Sequence, residues 1–221
     1  MSNVDSPGEE GEKMNVTVLN NPVVRLQLRE LRDRNTQRNR FCELIELITT
    51  FLIYEAAADL PTKEIPVLTP TGEEAACIVP QGKIGLVPIL RAGIGMASAA
   101  SRILPSASVF FLGYARNEVT LQPEAYYEKY PEAIRLVDVC YVLDVMLATG
   151  GSAAAAMRFL KSLAIKDSRL LAVIAAPGGV NYLNSVHPDV PVIVATLDRC
   201  LNSRGYILPG LGDAGDRQFG T

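Results

Sequence analysis

The sequence has little of the material that metal sites and nucleophilic catalysis require. Its 221 residues include a single histidine, His187, so multi-histidine metal sites and most Ser-His or Cys-His mechanisms find almost nothing to work with. The four cysteines lie far apart and form no C-x-x-C pair, which favours free thiols in a reducing compartment over a disulfide framework or a zinc site. They are Cys42, Cys77, Cys140 and Cys200.

Excess basic charge and long apolar runs are also lacking. Lys and Arg number 21 against 24 Asp and Glu, a net charge of −3, so there is no basic excess to coat a nucleic acid. The longest apolar stretches, 41–58 and 84–100, are interrupted by Glu, Pro or Arg. Neither offers the roughly 20 uninterrupted apolar residues of a membrane-spanning helix. We therefore expect a soluble, cytoplasmic chain with neither nucleic acid nor membrane as a partner.

The apolar residues that are present suffice for one core. They make up 48% of the 221 residues, and at about 150 residues per domain this length predicts one α/β domain with additions. Residues 1–13 are polar, acidic and poor in apolar side chains, which predicts a disordered tail rather than a signal peptide. A single domain is expected over 14–221.

From Lys83 onward, short apolar runs alternate with helix-like segments. Continuous runs of this kind predict an open, mostly parallel sheet with helices on both faces. The predicted strands are 84–90, 108–112, 137–143, 170–176 and 190–195, and helices are predicted at 152–163 and 179–186. Ligands of open α/β sheets bind beyond the carboxyl ends of the strands, so chemistry is expected in the loops after Leu90, Leu143, Ala176 and Ala195.

The segment before these runs has a helical pattern. Pro22 opens a short helix, and apolar residues between Phe41 and Leu52 recur at the spacing of one helix face. Six arginines fall within sixteen residues here, namely Arg25, Arg29, Arg32, Arg34, Arg38 and Arg40. We favour a solvated helix face for them, with contact to a partner subunit or an anion as the alternative.

The segment 139–152 is the most informative. An apolar strand ends on Asp144, and a loop closing with Thr149, Gly150, Gly151 and Ser152 opens an Ala-rich helix. Glycines let a phosphate approach the backbone, and the N–H groups and positive dipole at a helix start form an anion site. Asp144 suits hydrogen bonds from sugar hydroxyls. A phosphate–ribose site is favoured, and a plain helix cap formed by Ser152 is the alternative.

Arg91 follows a buried strand within a loop of small residues. A charge there is costly unless it meets an anion, and a guanidinium suits phosphate oxygens. A salt bridge to a neighbouring carboxylate is an equal alternative. The nearby Gly93-x-Gly95 resembles a dinucleotide-binding loop, but the third glycine and an acidic residue about 20 positions further on are missing.

Arg116 begins a polar stretch that contains three tyrosines, Tyr126, Tyr127 and Tyr130. This stretch predicts either an arm that carries Arg116 over a ligand or an edge hairpin that packs on another subunit. The local pattern favours neither.

The carboxyl-terminal stretch 205–220 interleaves five glycines with apolar side chains. Solvent-exposed tails rarely need such apolar residues. The pattern therefore favours an ordered loop whose backbone approaches a planar ligand, and a structural loop that closes the sheet is the alternative.

Together these segments resemble the uracil phosphoribosyltransferase family from about residue 21 to 221. The motifs that carry the resemblance are PILRAGIGM (88–96), ARNEVTLQPEAYYEKYP (115–131), LDVMLATGGS (143–152) and GYILPGLGDAGDRQFG (205–220). The resemblance implies a phosphoribosyltransferase-type sheet with a β-hairpin arm. It also implies transfer of ribose 5-phosphate from 5-phosphoribosyl 1-pyrophosphate (PRPP) to N1 of uracil, giving UMP and pyrophosphate.

The same resemblance implies cofactors and partners. Mg²⁺ would arrive with the pyrophosphate and be held by it and by water, with no metal ligands from the protein. A homodimer or a higher homo-oligomer is implied, and GTP is an effector in some relatives.

Roles for individual residues also come from the resemblance. The residues expected to bind PRPP are Arg91, Arg116, Asp144, Val145, Met146, Leu147, Ala148, Thr149, Gly150, Gly151, Ser152 and Asp213. Those expected around uracil are Ile207, Gly212, Asp213 and Ala214. Asp213 and Arg116 would be the catalytic residues.

Some positions depart from the family pattern, among them Ala58 in place of an arginine and Ser98 and Asn117 in place of aspartates. They motivate an alternative: a catalytically weak or inactive homologue that acts as a nucleotide- or RNA-binding regulator. The net charge of −3 disfavours a large RNA-binding face. Because every expected substrate residue is present, the active enzyme is the leading hypothesis.

Overall fold

A computed structural model describes residues 15–116, 123–128 and 132–221, and the predicted tail at 1–13 lies outside these ranges. The strands are β1 (Val16–Val18), β2 (Thr62–Leu68), β3 (Glu74–Pro80), β4 (Ile84–Leu90), β5 (Ser108–Val109), β6 (Leu112–Arg116), β7 (Pro123–Tyr127), β8 (Val139–Leu147), β9 (Asp167–Ala175), β10 (Val192–Leu197), β11 (Cys200–Leu201) and β12 (Ile207–Leu208). The helices are α1 (Pro22–Arg32), α2 (Arg38–Ala56), α3 (Ile94–Ile103), α4 (Gly151–Ser162), α5 (Pro177–Val186) and α6 (Ala214–Phe219), with a 3-10 turn at Glu132–Leu136.

Eight of these strands form one sheet, in the spatial order β1-β10-β9-β8-β4-β6-β7, with β5 also paired to β4. Its neighbouring pairs are parallel except for the antiparallel β6–β7 hairpin at one edge. The predicted open, mostly parallel sheet is therefore confirmed. Two small hairpins, β2–β3 and β11–β12, lie outside it.

Helices cover both faces of the sheet because successive residues of a central strand point to opposite sides. On β8, Tyr141 and Leu143 belong to the apolar cluster that includes residues of α1, α2 and α3. Cys140 and Val142 belong to the second cluster, with residues of α4 and α5. All four side chains are fully buried. The amino-terminal helices predicted from the sequence thus supply one layer of the core.

The predicted strand 84–90 coincides with β4, but the predicted strand 108–112 is wrong because it is split between β5 and β6. Both pieces pair with β4 in the same register. In a parallel strand, the backbone N–H and C=O groups of every second residue point to the same neighbouring strand. On β4 the carbonyl of Leu86 accepts the N–H of Phe110. The backbone of Pro88 points to the same neighbour but has no N–H to donate, which interrupts the hydrogen bonds along β4 at the break between β5 and β6.

The strand predicted to end on Asp144 continues to Leu147. Asp144 pairs with Ala172 and Leu147 with Ala175, because the neighbouring β9 is long enough to provide partners beyond Asp144. The carboxylate of Asp144 therefore lies within the paired part of β8, three residues before the strand ends. None of the described helices has the length and apolar character needed to cross a membrane.

Candidate active site

The loops that follow β4 and β8 meet the start of α6 at one cleft at the carboxyl edge of the sheet. The cleft has a volume of about 980 Å³, and Arg91, Ser152 and Asp213 lie on its walls. Because β4 and β8 are adjacent and parallel, their carboxyl ends deliver both loops to the same edge. Three motifs that are far apart in the sequence are therefore close in space.

A smaller hollow of about 120 Å³ lies in the loop between β8 and α4, lined by Asp144 and residues 146–153. The N-cap of α4 is Gly150, and no side chain caps the helix. The alternative in which Ser152 caps it is wrong, since Ser152 is already the second helical residue. The first N–H groups of α4 have no capping side chain, which is the arrangement that suits an anion.

Gly150 makes the geometry of this loop possible. Its φ of +83° lies in the left-handed region, and a Cβ there would lie 2.7 Å from the carbonyl oxygen of Gly179. Any larger residue would meet both strain and a collision. Close backbone packing on the start of α5 thus fixes the position of the loop.

Asp144 is a partly buried carboxyl group beside the hollow. Its Oδ1 accepts the N–H of Met146 at 3.4 Å. Burial raises the pKa of Asp144 to about 7, and backbone hydrogen bonds from Met146 and Val145 oppose this in part. Once ionised, the group can accept hydrogen bonds from the hydroxyls of a sugar.

The surroundings of Arg91 distinguish between its two alternatives. Its Nη2 lies 3.6 Å from Oδ1 of Asp216, and the side chains are 56% and 52% exposed, respectively. An exposed pair at this distance is weak. The salt bridge is present, and more than half of the side chain is still exposed on the wall of the cleft, where an anion can reach it.

Arg116 is the last residue of β6 and pairs with Pro123 on β7. Its side chain, like Asn117 and Tyr130, lies outside the described part of the chain. The described backbone is an antiparallel hairpin at the edge of the sheet, which is compatible with both alternatives for this segment. Tyr114 and Tyr126 from this hairpin line the cleft.

The carboxyl-terminal stretch, predicted as an ordered loop, contains the short strand β12 and the helix α6 with a loop between them. Asp213 is the N-cap of α6, and its Oδ1 accepts the N–H of Asp216 at 3.0 Å. The side chains of Ile207 and Ala214 are buried in the core. These two residues can therefore offer a ligand only backbone groups, while Gly212 is exposed.

Gln218 is a residue that the sequence analysis missed. It is 3% exposed, and its Nε2 donates to the carbonyl oxygens of Ala92 at 3.0 Å and Ala214 at 3.1 Å. It thereby ties the loop after β4 to α6, two walls of the cleft. No pattern marks it, because a single glutamine near a chain end is ordinarily exposed.

Comparison with known proteins identifies close relatives over nearly the whole chain. The family model described as uracil phosphoribosyltransferase matches residues 18–221. The uracil phosphoribosyltransferase of Dictyoglomus thermophilum is 47% identical over 206 residues, which cover 93% of this chain and 99% of that protein. That of Roseiflexus castenholzii is 48% identical, covering 93% of this chain and 98% of the relative.

Solved structures agree on the fold. The AQ2163 protein from Aquifex aeolicus superposes with a TM-score of 0.85 at 33% identity, covering 92% of this chain and 97% of that one. A hypoxanthine-guanine phosphoribosyltransferase from Bacillus anthracis has a TM-score of 0.50 at 10% identity, covering 73% of this chain and 80% of its own. The second likeness concerns the fold alone.

Proposed function

The chain belongs to the uracil phosphoribosyltransferase family, and on that premise we propose that it transfers the ribose 5-phosphate group of PRPP to N1 of uracil in pyrimidine salvage. The products are UMP and pyrophosphate. One observation carries the proposal: Ser152 of the phosphate loop and Asp213 of the carboxyl-terminal stretch line the same cleft as Arg91. A sugar phosphate and the base that attacks its anomeric carbon have to be bound side by side.

The loop from Asp144 to Ser152 is the proposed site for ribose 5-phosphate. Backbone N–H groups at the uncapped start of α4 and the hydroxyls of Thr149 and Ser152 would hold the 5′-phosphate. Asp144 would accept hydrogen bonds from the ribose hydroxyls. Those bonds favour the ionised carboxylate and so oppose the effect of burial on the pKa of Asp144.

Arg91 and Arg116 are the proposed contacts to the pyrophosphate. As the bond from C1′ to the pyrophosphate oxygen breaks, negative charge grows on the leaving group and positive charge on the sugar ring. Fixed guanidinium groups stabilise the former. No protein nucleophile is needed. His187 is buried, its Nε2 lies 3.0 Å from the carbonyl oxygen of Ala154, and burial lowers its pKa.

The base is proposed to bind along Ile207, Gly212, Asp213 and Ala214, with Asp213 also reaching PRPP. Backbone N–H and C=O groups would match the imide edge of uracil. Cytosine carries an amino group where uracil has O4, and an acceptor where uracil has N3–H. A site that leaves polar groups unpaired with the wrong base can discriminate by up to about 10⁴–10⁵.

Mg²⁺ fits this site as a companion of the pyrophosphate. Among residues 15–116, 123–128 and 132–221, no group of three or more His, Cys, Asp or Glu side chains could hold a metal ion. Magnesium needs only a few hard oxygens besides water, and the diphosphate supplies them. When bound, the ion would neutralise charge on the leaving group, and Arg91 would contact the same pyrophosphate.

The two other hypotheses lack support. Ala58 lines a separate hollow with Ser168 and Arg169 from the start of β9, at the opposite edge of the sheet from the cleft. Ser98 is exposed on α3, where its Oγ accepts a hydrogen bond from Arg102. These two substitutions therefore leave the cleft intact, Asn117 lies outside the described residues, and the family match removes the dinucleotide-dependent alternative.

A homodimer or a higher homo-oligomer is also proposed. The β2–β3 hairpin exposes large apolar side chains, with Leu68 at 71% and Ile78 at 72%. A two-stranded hairpin is marginally stable in water unless something packs on it. Light scattering after gel filtration should give a mass of at least two chains, and a monomer at micromolar concentration would refute the proposal.

GTP is proposed as an effector. Several arginines of the amino-terminal cluster are engaged within the chain, since Arg32 pairs with Asp198 and Arg40 with Glu30. Adding GTP to the assay tests whether the cluster also binds an anion.

The cytoplasm is the proposed location. All four cysteines are free, as expected of a protein in a reducing compartment.

The decisive experiment incubates the purified protein with uracil, PRPP and magnesium and follows UMP by chromatography. UMP and pyrophosphate should form in equal amounts, and cytosine should not react. Absence of product over a range of pH, with and without GTP, would refute the proposed function.

A further inference from the structure

One buried ion pair forms hydrogen bonds with both the backbone N–H and the backbone C=O of Gly210. Asp198, which follows β10, is 7% exposed, and its Oδ2 accepts the N–H of Gly210 at 2.9 Å. Arg32, the last residue of α1, donates from Nη1 to the carbonyl oxygen of Gly210 at 2.7 Å. The guanidinium and the carboxylate are joined by two bonds of 2.8 and 2.5 Å. Arg32, Asp198 and Gly210 form the Gly210 clamp.

The clamp resists disruption because the loss of any one of its hydrogen-bonded partners is costly. The side chain of Asp198 is 3% exposed and that of Arg32 is 24% exposed, so water cannot replace a lost partner of the carboxylate. Removing one member of a buried, hydrogen-bonded pair leaves an unpaired charge behind. The bidentate geometry also fixes orientation as well as distance.

Gly210 lies in the middle of the segment proposed to bind the base. A Cβ at Gly210 would collide with the carbonyl oxygen of Ile207, so the two residues are in close backbone packing. Gly212 and Asp213 follow directly. Asp213 lies on the walls of the cleft, whereas Arg32, Asp198 and Gly210 do not. The clamp would therefore act on a ligand through the backbone that runs from Gly210 to Asp213.

We propose that Arg32 and Asp198 are positioning residues for the base, and that the Gly210 clamp sets the geometry by which the backbone of 207–213 distinguishes uracil from cytosine. The inference rests on the proposed function. Recognition by backbone groups requires a backbone that does not yield to the wrong base, and misplacement by about 1 Å can cost roughly 100-fold in rate. Selection therefore depends on residues behind the segment as well as on the segment itself.

A second arginine supports the same joint between α1 and the base segment. Nη1 of Arg217 donates to the carbonyl oxygens of Leu31 and Leu211, both at 2.8 Å. Nη2 donates to that of Asp33 at 2.7 Å. The end of α1 is thus the fixed point to which the base segment is attached at Gly210 and, through Arg217, at Leu211.

The test compares Arg32→Met with Arg169→Met. Arg169 is 12% exposed and pairs with the exposed carboxylates of Asp167 and Asp59 at the opposite edge of the sheet, so it is a largely buried, ion-paired arginine outside the clamp. For Arg32→Met we expect KM for uracil to rise about tenfold or more, KM for PRPP to stay within about twofold, and the preference for uracil over cytosine to fall. Arg169→Met should lower Tm without changing either KM.

Equal effects of the two variants on Tm, with KM for uracil unchanged in both, would overturn the inference. Arg32→Lys keeps the positive charge but has a single donor nitrogen, so it should give an intermediate KM for uracil. This variant tests the clamp if Arg32→Met does not fold. Hydrogen exchange of the wild-type protein is an independent check: the amide of Gly210 should be protected without substrate, and rapid exchange there would also overturn the inference. Failure of the proposed function is distinguishable, since the wild-type protein would then form no UMP.

Discussion

Ser152, the second residue of α4, and Asp213, the N-cap of α6, lie on the walls of the same cleft. The first comes from the loop after a central strand and the second from the carboxyl-terminal stretch. They meet because β8 is the neighbour of β4 and because Gln218 ties α6 to the loop after β4. Substitutions on the two sides should therefore affect different substrates of one reaction.

Asp213→Asn tests the carboxylate on the base side. Asparagine also caps helices well, so we expect little change in stability and a fall in kcat of about 10²–10³. Steady-state UMP formation and a thermal melt measure the two effects. Asp189→Asn is the control, because that carboxylate pairs with Lys161 far from the cleft and its loss should leave kcat unchanged. An Asp213→Asn enzyme with full activity would remove Asp213 from the mechanism.

Gly150→Ala tests the phosphate loop. The new Cβ meets the carbonyl oxygen of Gly179 at a φ of +83°, so the loop has to shift and KM for PRPP should rise at least tenfold. Gly72→Ala is the matched control: its φ is +84°, but nothing lies within 4 Å of the new Cβ. The control should cost about 1 kcal/mol of stability and leave KM for PRPP unchanged. The prediction fails if both variants bind PRPP equally well.

Arg91→Met tests the pyrophosphate contact. Since the side chain is 56% exposed and its ion pair is long, the free energy of unfolding should change by less than about 0.5 kcal/mol. Loss of a preorganised charge at the leaving group should lower kcat/KM for PRPP by about 100-fold. Arg102→Met removes a similarly exposed arginine that pairs with Glu46 on α2, and activity should persist in that control. Similar kinetics for the two variants would refute the role of Arg91.

The raised pKa of Asp144 predicts an unusual dependence of stability on pH. Its pKa is about 7 in the folded protein and about 3.9 in an unfolded chain, so between these values the folded state binds more protons. Stability should therefore fall as the pH rises from about 4 to 7 and then level off.

Asp144→Asn should remove this part of the decline, gaining roughly 2–4 kcal/mol over wild type at pH 8 in the absence of PRPP. Urea unfolding at pH 5 and pH 8 measures it. Asp189→Asn is the control, because the pKa of Asp189 is lowered by Lys161 and the group is ionised at both pH values. A wild-type protein with equal stability at the two pH values would contradict the raised pKa.

Local patterns predicted the parts of the fold in which burial and periodicity coincide. The strand predicted from the apolar run 84–90 has the same bounds as β4 in the structure, and α4 begins one residue before the predicted start. The β2–β3 hairpin was not predicted because its side chains are exposed or half-buried along both strands, so no apolar face marks them. The continuation of β8 beyond Asp144 depends on the length of β9, a property of another segment.

Within the site, the motifs predicted which segments converge, but not the residues that hold them together. Asp198 and Arg32 are far apart in sequence, and each alone looks like a surface charge. Only the packing of α1 against the base segment makes them a buried pair. Gln218 is hidden for the same reason, since its two acceptors come from different segments.

The central claim is that one cleft holds the sugar phosphate and the base together, and a displacement titration with UMP tests it most directly. Calorimetry should show one UMP bound per chain, displaced competitively by PRPP, with uracil unable to bind while UMP is present. Simultaneous binding of uracil and UMP to one chain, or of PRPP and UMP, would contradict the account.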